Sequence, residues 1–329
     1  MSNRLPTVTI IVPARPDAGQ PLATQAIRKL DYPASQLELI VARGKQPAVQ
    51  RNTAIKAARG ELLYFLDDDS RPASDALRRA AGHFAKPEVK MAGGPNVCPE
   101  DAPWIEQLFA VVLSSWLAFG PSRARYTAVG TARESSEKEL ILCNLIARRD
   151  TLLELGGFDE SLYPNEENAL MDEIQKRGGK LIYDPEIVVE RRPRPTLRAF
   201  MRMLLNYGRG RAEQFRLHPT WGSALNFVPP LFCLYLILLV IACAVALARE
   251  LKPAVVLASL PSVAYLIALL FDALRSAATR GLARSLAAVP LVIVTHVFYG
   301  LGFWKGLFTR PARKAAAQPV EVVLEHVTL

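Results

Sequence analysis

Three apolar runs of membrane length crowd the last third of this 329-residue chain and constrain its fold more than any other feature. Phe227 to Ala248 is free of charge for 22 residues. As a helix it spans about 33 Å, close to the hydrocarbon thickness of a bilayer. Ala254 to Phe271 is uncharged for 18 residues and Leu286 to Trp304 for 19, although Pro290, His296, Gly300 and Gly302 interrupt the last. Three such runs with basic flanks read as membrane helices rather than as buried helices of a soluble core.

Charge divides the chain in the same way. The formal net charge is +9, yet residues 1–190 hold 23 Lys and Arg against 26 Asp and Glu. Residues 191–222 hold 8 Arg against 1 Glu, and residues 223–329 hold 9 basic against 4 acidic side chains. A nucleic-acid binder would spread basic residues over its folded domain, so nucleic acid is not the expected partner. The early apolar run Val8 to Val12 is too short for a signal-peptide core, so the acidic part is expected in the cytoplasm. Cys98, Cys143, Cys233 and Cys243 show no metal-binding spacing and read as free thiols.

Residues 1–190 alternate short β-rich runs with helical patterns, which predicts an α/β domain with a mainly parallel sheet. Val8–Val12, Leu37–Val41, Leu62–Leu66 and Glu139–Ile146 are the expected strands. Helices are expected over Pro21–Leu30, Ala48–Arg59, Ser74–Ala85, Trp104–Ala118 and Arg149–Leu155. Ligands of open α/β sheets bind beyond the carboxyl ends of the strands, which directs attention to the residues that follow them.

Asp67-Asp68-Asp69-Ser70 follows the third strand. Adjacent carboxylates repel one another, and a divalent cation would let them ionise together. A solvated acidic turn leading into the next helix is the plainer alternative. Farther on, Asn165-Glu166-Glu167 opens a helix. The two glutamates either complement its dipole or supply a general base.

The run LLYFLDDDS, preceded by Gln50-Arg51-Asn52 and followed by GGFDESLYPNEENALMDEIQKRGGKLIYDPE, resembles the inverting nucleotide-sugar glycosyltransferases of family 2 over roughly residues 7–195. The continuation, with Tyr207-Gly-Arg-Gly-Arg211 and His218-Pro219, is similar to the membrane-bound branch that elongates lipid-linked sugars, such as the succinoglycan-type glucosyltransferases. The resemblance implies a nucleotide-binding fold of the glycosyltransferase A type and a nucleotide-sugar donor. It places Asp69, with Asp67, as ligands of Mg²⁺ or Mn²⁺. Pro13, Ala14, Arg15, Arg51, Asp67 and Asp68 fall on segments that line the nucleotide-sugar pocket. Glu167, beside Glu166, becomes the catalytic base, and Arg209 and Arg211 are expected near the donor diphosphate and the lipid-linked acceptor. Two departures stand out. No acid occurs from Val41 to Gly60, where many relatives carry a base-recognising aspartate. Glu190-Arg191-Arg192 stands where relatives often have a histidine, so no third metal ligand is assigned.

At 100° per residue, Arg198, Arg202, Arg209 and Arg216 fall within about 40° of one another, while Leu197, Phe200, Leu204, Tyr207 and Phe215 lie opposite. That amphipathic pattern predicts a helix lying in an anionic membrane surface, and Gly208 and Gly210, which flank Arg209, leave open whether it is unbroken. The expected organisation is a catalytic domain over 1–195, an interfacial arginine-rich segment over 196–222, a membrane domain with two to three spans over 223–314, and a tail over 315–329. With the catalytic domain inside, Arg249 and Lys252 lie outside and Arg275, Arg280 and Arg284 inside, as the positive-inside rule prefers. A complete third crossing would put Lys305, Arg310, Arg313 and Lys314 outside, against it. Either the third run re-enters or the rule fails.

The expected protein is an integral protein of a bacterial inner membrane with its catalytic domain in the cytoplasm. It would transfer a sugar, with inversion, to a polyprenyl-(di)phosphate-linked acceptor in exopolysaccharide or other surface-glycan assembly, in contact with anionic lipids. The alternatives are a processive polysaccharide synthase, for which three spans are few, and a catalytically inactive membrane scaffold. A transporter is disfavoured because it needs ionisable groups within its spans, and His296 and the boundary residue Asp272 are too few.

Overall fold

The structure, a computed structural model, describes residues 4–160, 162, 165–217, 221–250, 252–309 and 321–329. His218, Pro219, Arg310, Arg313 and Lys314 lie outside them. The described residues within 1–101, 121–192 and 312–329 form one compact unit, and those within 102–120 and 193–311 form a second.

The first unit runs through β1 (Val8–Ala14), α1 (Leu22–Ile27), β2 (Leu37–Arg43), α2 (Pro47–Ala57), β3 (Leu62–Leu66), β4 (Arg71–Pro72), α3 (Ala76–His83), β5 (Val89–Gly93) and β6 (Asn96–Val97). In the second unit follow α4 (Trp104–Leu113) and α5 (Trp116–Phe119). The chain then returns with β7 (Arg133–Glu134), β8 (Asn144–Arg148), α6 (Arg149–Glu154), α7 (Glu166–Lys176), β9 (Lys180–Tyr183) and β10 (Val189–Glu190). After α8 (Leu197–Leu217), α9 (Val228–Ala248), α10 (Lys252–Arg280) and α11 (Leu282–Phe308), it ends in β11 (Val323–Val327).

Eight strands form one sheet in the order β11-β2-β1-β3-β8-β5-β9-β7, and β4, β10 and β6 form a small second one. The sheet is mixed. β2, β1 and β3 are parallel, as are β5 and β9, whereas β8 runs antiparallel to β3 and β5. Parallel strands packed on both faces read as continuous apolar runs, and β1 and β3 do so. Val8, Ile10 and Val12 enter one core with Tyr64, while Ile11 enters the other with Leu63 and Phe65.

Two expected boundaries move. The strand expected over Glu139–Ile146 begins only at Asn144; Glu139 lies in the preceding irregular stretch, where its carboxylate accepts from Arg133 and Ser135, each at 2.5 Å. The helix expected over Trp104–Ala118 divides at Ser115, whose Oγ accepts from the Ala118 amide at 3.0 Å and caps α5.

In the second unit, α9, α10 and α11 are long and apolar enough to cross a membrane. α8 runs unbroken through Gly208 and Gly210, which settles the continuity that the sequence left open. Tertiary packing offsets the roughly 1 kcal/mol that each helical glycine costs. Any side-chain carbon on Gly208 would collide with the Tyr299 carbonyl, and one on Gly302 with the Leu205 carbonyl, so α8 and α11 meet backbone to backbone. The apolar side of α8 is therefore not turned to a bilayer over this stretch. Phe200 and Leu204 are fully buried, and Phe200 stacks on Phe109 of α4 at 4.3 Å.

Candidate active site

The parallel pairing of β1 with β3 brings Pro13-Ala14 and Asp67-Asp68-Asp69 to the same edge of the sheet. Three consecutive residues of α2 then tie separate loops to that edge. Gln50 Nε2 donates to the carbonyls of Ala14 at 2.8 Å and Ala42 at 2.5 Å, clasping the ends of β1 and β2. Arg51 reaches Asp67 Oδ1 at 3.1 Å and Glu166 Oε1 at 3.3 Å. Asn52 pairs with the backbone of Phe158, donating to its carbonyl and accepting from its amide at 2.8 Å each, and also donates to Glu160. This clamp requires Gly157: its φ of +82° suits glycine, and a Cβ there would collide with Asn52 Oδ1.

A second arginine completes the cluster. Arg191, just after β10, places Nη1 3.1 Å from Asp67 Oδ2 and donates from Nε to Asp69 Oδ1 at 2.5 Å. Glu166, Arg51, Asp67, Arg191 and Asp69 thus form a chain of alternating charge. Ser70, fully buried, accepts from the Asp67 amide through its Oγ at 3.1 Å and tightens the turn. Asp68 stands beside this chain, its carboxyl raised above the usual range by burial and then by Asp69 and Asp67.

The two glutamates at the start of α7 differ in their commitments. Glu166, 2% exposed, is held by Arg51, and its other oxygen is buried without a hydrogen bond among the described residues. Burial, followed by the neighbouring Glu167, pushes its carboxyl up to about 7 against the opposing pull of Arg51. Glu167, 9% exposed, makes no hydrogen bond or ion pair with any described residue.

Sequence reasoning named Pro13, Ala14, Arg15, Arg51, Asp67, Asp68, Asp69, Glu166 and Glu167. Of these, Arg51, Asp67 and Glu166 are joined directly, with Asp69 linked through Arg191. Arg15, in the loop after β1, contributes its carbonyl to Arg43 at 3.3 Å. Arg209 and Arg211 belong to the second unit, where Arg209 lies 3.6 Å from Glu213 and Arg211 donates to Gln214 at 3.0 Å. Gln50, Asn52 and Arg191 had no assigned role. Gln50-Arg51-Asn52 was visible as a polar triplet, and Arg191 only as the residue standing where a histidine is often found.

The mixed sheet, with acidic residues gathered beyond the carboxyl end of a parallel strand, has a fold like that of the glycosyltransferase A type. Residues 62–302, well over half of the chain, match the family described as Glycosyl transferase family group 2, and the chain belongs to that family. It is 26% identical over 186 residues to the pre-mycofactocin glycosyltransferases of two Mycobacterium tuberculosis strains. That alignment covers 53% of this chain and 36% of the relatives, so the chain matches only about a third of their length. Among solved structures it is similar to the mannosyltransferase PcManGT from Pyrobaculum calidifontis, determined with GDP-Man and Mn²⁺. The TM-score is 0.53 at 19% identity, over 93% of this chain and 88% of that one, a likeness of fold. To this family membership the described residues add three helices of membrane length.

Proposed function

We propose that this enzyme transfers one sugar from a nucleotide-sugar to a polyprenyl-(di)phosphate-linked acceptor at the cytoplasmic face of a bacterial inner membrane, with inversion, in surface-glycan assembly. The observation that carries the reading is the division of labour at α7, where Arg51 holds Glu166 while Glu167 pairs with no described residue. Glu167 takes the proton of the acceptor hydroxyl, which attacks the anomeric carbon opposite the leaving nucleoside diphosphate. One bond forms as the other breaks, so the configuration inverts. Pro13, Ala14 and Arg15 border the donor with Asp67 and Asp68, and Arg51 fixes Asp67 relative to α7. The arginines of α8, including Arg209 and Arg211, supply positive charge toward the acceptor phosphate and anionic headgroups.

A divalent cation fits the donor set. Asp67 and Asp69 offer carboxylate oxygens, and Mg²⁺ or Mn²⁺ is commonly held by one or two such groups with its other positions left to phosphate and water. Asp69 is the more open of the two, its side chain 40% exposed against 23% for Asp67. Among the described residues no group of three potential ligands is assembled, and the oxygens that would hold the ion accept from Arg191. Held by Asp67 and Asp69, such an ion would offset charge growing on the leaving diphosphate. Arg191 already provides a fixed cation at the same carboxylates.

The test is nucleoside diphosphate release from purified protein given a panel of nucleotide-sugars, with and without a polyprenyl-phosphate-linked acceptor and Mn²⁺ or Mg²⁺. Glu167→Gln is expected to slow transfer by about 10²- to 10⁴-fold, the usual contribution of a general base. Near-full activity in that variant removes Glu167 from the mechanism, and a product retaining the donor's anomeric configuration removes inversion.

A further inference from the structure

The C-terminal strand decides how many of the three long helices cross the bilayer. The chain leaves the first unit after β10, passes through α8 to α11, and returns as β11, which pairs antiparallel with β2 from Val323↔Arg43 to Val327↔Leu39. This pairing is built in rather than incidental. Val327 and Leu329 pack on one core and Val322 and Leu324 on the other, and Glu325 accepts from Arg43 Nε at 2.6 Å. The Arg28 guanidinium adds a bond to the Thr328 carbonyl at 3.3 Å. Two strands of one sheet lie on one side of a membrane. Between β10 and β11 the chain must therefore cross an even number of times, and three complete crossings are excluded.

The helices differ in which of them a bilayer suits. α9 carries Leu231, Leu234, Ile237, Leu238, Val240 and Ile241 exposed, and α10 is apolar and exposed in the same manner. The two are tied along their lengths, Phe232 to Tyr265 with ring centres 4.7 Å apart and Tyr235 to Ser262 at 2.7 Å, so they form an antiparallel hairpin. α11 is far more buried. Its close contacts with α9 fall in the first turns of that helix: Trp304 donates to the Pro230 carbonyl at 3.1 Å, and a Cβ on Gly300 would strike Pro229 and Cys233. Its last turns instead run against the arginine-bearing α8, with Arg216 Nη1 donating to the carbonyls of Gly306 and Thr309. A helix bound along an arginine-bearing neighbour is expensive to place in hydrocarbon.

We infer that α9 and α10 cross as a hairpin whose tip carries Arg249, Glu250 and Lys252, whereas α11 stays with α8 on the side of the catalytic sheet. Arg275, Arg280, Arg284 and Lys305 then share one side with the α8 arginines, and the conflict with the positive-inside rule disappears. The partner of the exposed α9–α10 surface is the lipid bilayer, and this assignment is independent of which sugar is transferred.

Single cysteines introduced into the full-length protein lacking its four native ones, in sealed vesicles, report the side through a membrane-impermeant maleimide. Asp150→Cys marks the catalytic unit, Thr279→Cys the junction of α10 and α11, Thr328→Cys the tail, and Arg249→Cys the hairpin tip. The expected result is labelling of the first three from one side and of the tip from the other. Labelling of Thr279→Cys and Thr328→Cys from opposite sides would mean that α11 crosses and would overturn the inference. So would labelling of the tip from the same side as Asp150→Cys. Protease removal of an epitope fused after Leu329 of the otherwise unchanged chain supplies a readout free of cysteine replacement. The epitope is expected to be lost from the side on which the catalytic unit is exposed, and loss from the opposite side overturns the assignment.

Discussion

Glu166 shows how one buried carboxyl links the site to folding. Its acidity is shifted from 4.5 to about 7, chiefly by burial. A carboxyl whose folded-state value is raised binds more protons in the native than in the unfolded state across that interval. Its contribution to stability is full below about pH 4.5 and declines as pH rises through about 7, with a difference on the order of 3 kcal/mol. The unfolding midpoint of the detergent-solubilised protein is expected to fall over this window. Glu166→Gln, which keeps the shape without the charge, is expected to flatten that slope. An unchanged slope in the variant, measured by thermal unfolding at several pH values, would assign it to other groups. Much of this cluster was legible in sequence, because consecutive acids after an apolar strand and paired glutamates opening a helix are local signals. Arg191 was not, since its partners Asp67 and Asp69 lie more than 120 residues away and only the fold brings them together.

Among the elements, α8 and α11 show that glycine has opposite meanings in different surroundings. Gly302 lies against the Leu205 backbone, whereas Gly82 of α3 faces open space. Gly302→Leu is expected to force the helices apart and cost about 3 kcal/mol, at the upper end of overpacking effects. Gly82→Ala adds helix propensity without a clash and is expected to stabilise by up to about 1 kcal/mol. Thermal midpoints of the two variants should move in opposite directions, and a neutral Gly302→Leu would remove the close packing. Sequence patterning placed α8 correctly as amphipathic. It could not tell whether the apolar face met lipid or protein, because both offer the same hydrocarbon surface to a leucine.

For the whole molecule, attachment to the membrane rests on apolar area rather than on charge. Nine large hydrophobic side chains are exposed on α9 and nine on α10. Each Leu, Ile, Val or Phe contributes about 0.3 to 0.6 kcal/mol when inserted. Each arginine adds about 1 kcal/mol only near anionic headgroups at low ionic strength, since salt screens the attraction. High-salt or alkaline washing of membranes is therefore expected to leave the protein in the pellet, checked by sedimentation and immunodetection. Its release by salt alone would mean that the hairpin is not inserted.

Read by itself, the sequence determined the two-part character of the protein, the strands bearing the carboxylates, and the family. Those properties are written in local composition and in the periods of short segments, where neighbours in sequence are neighbours in space. Only the tertiary structure decided that Arg191 counters Asp67 and Asp69, that α8 turns its apolar face to α11, and that the last residues complete the catalytic sheet. Each of these depends on contacts between residues far apart in the chain. The number of membrane crossings depends on the last of them, because no hydropathy pattern records which side of a bilayer a distant strand must return to.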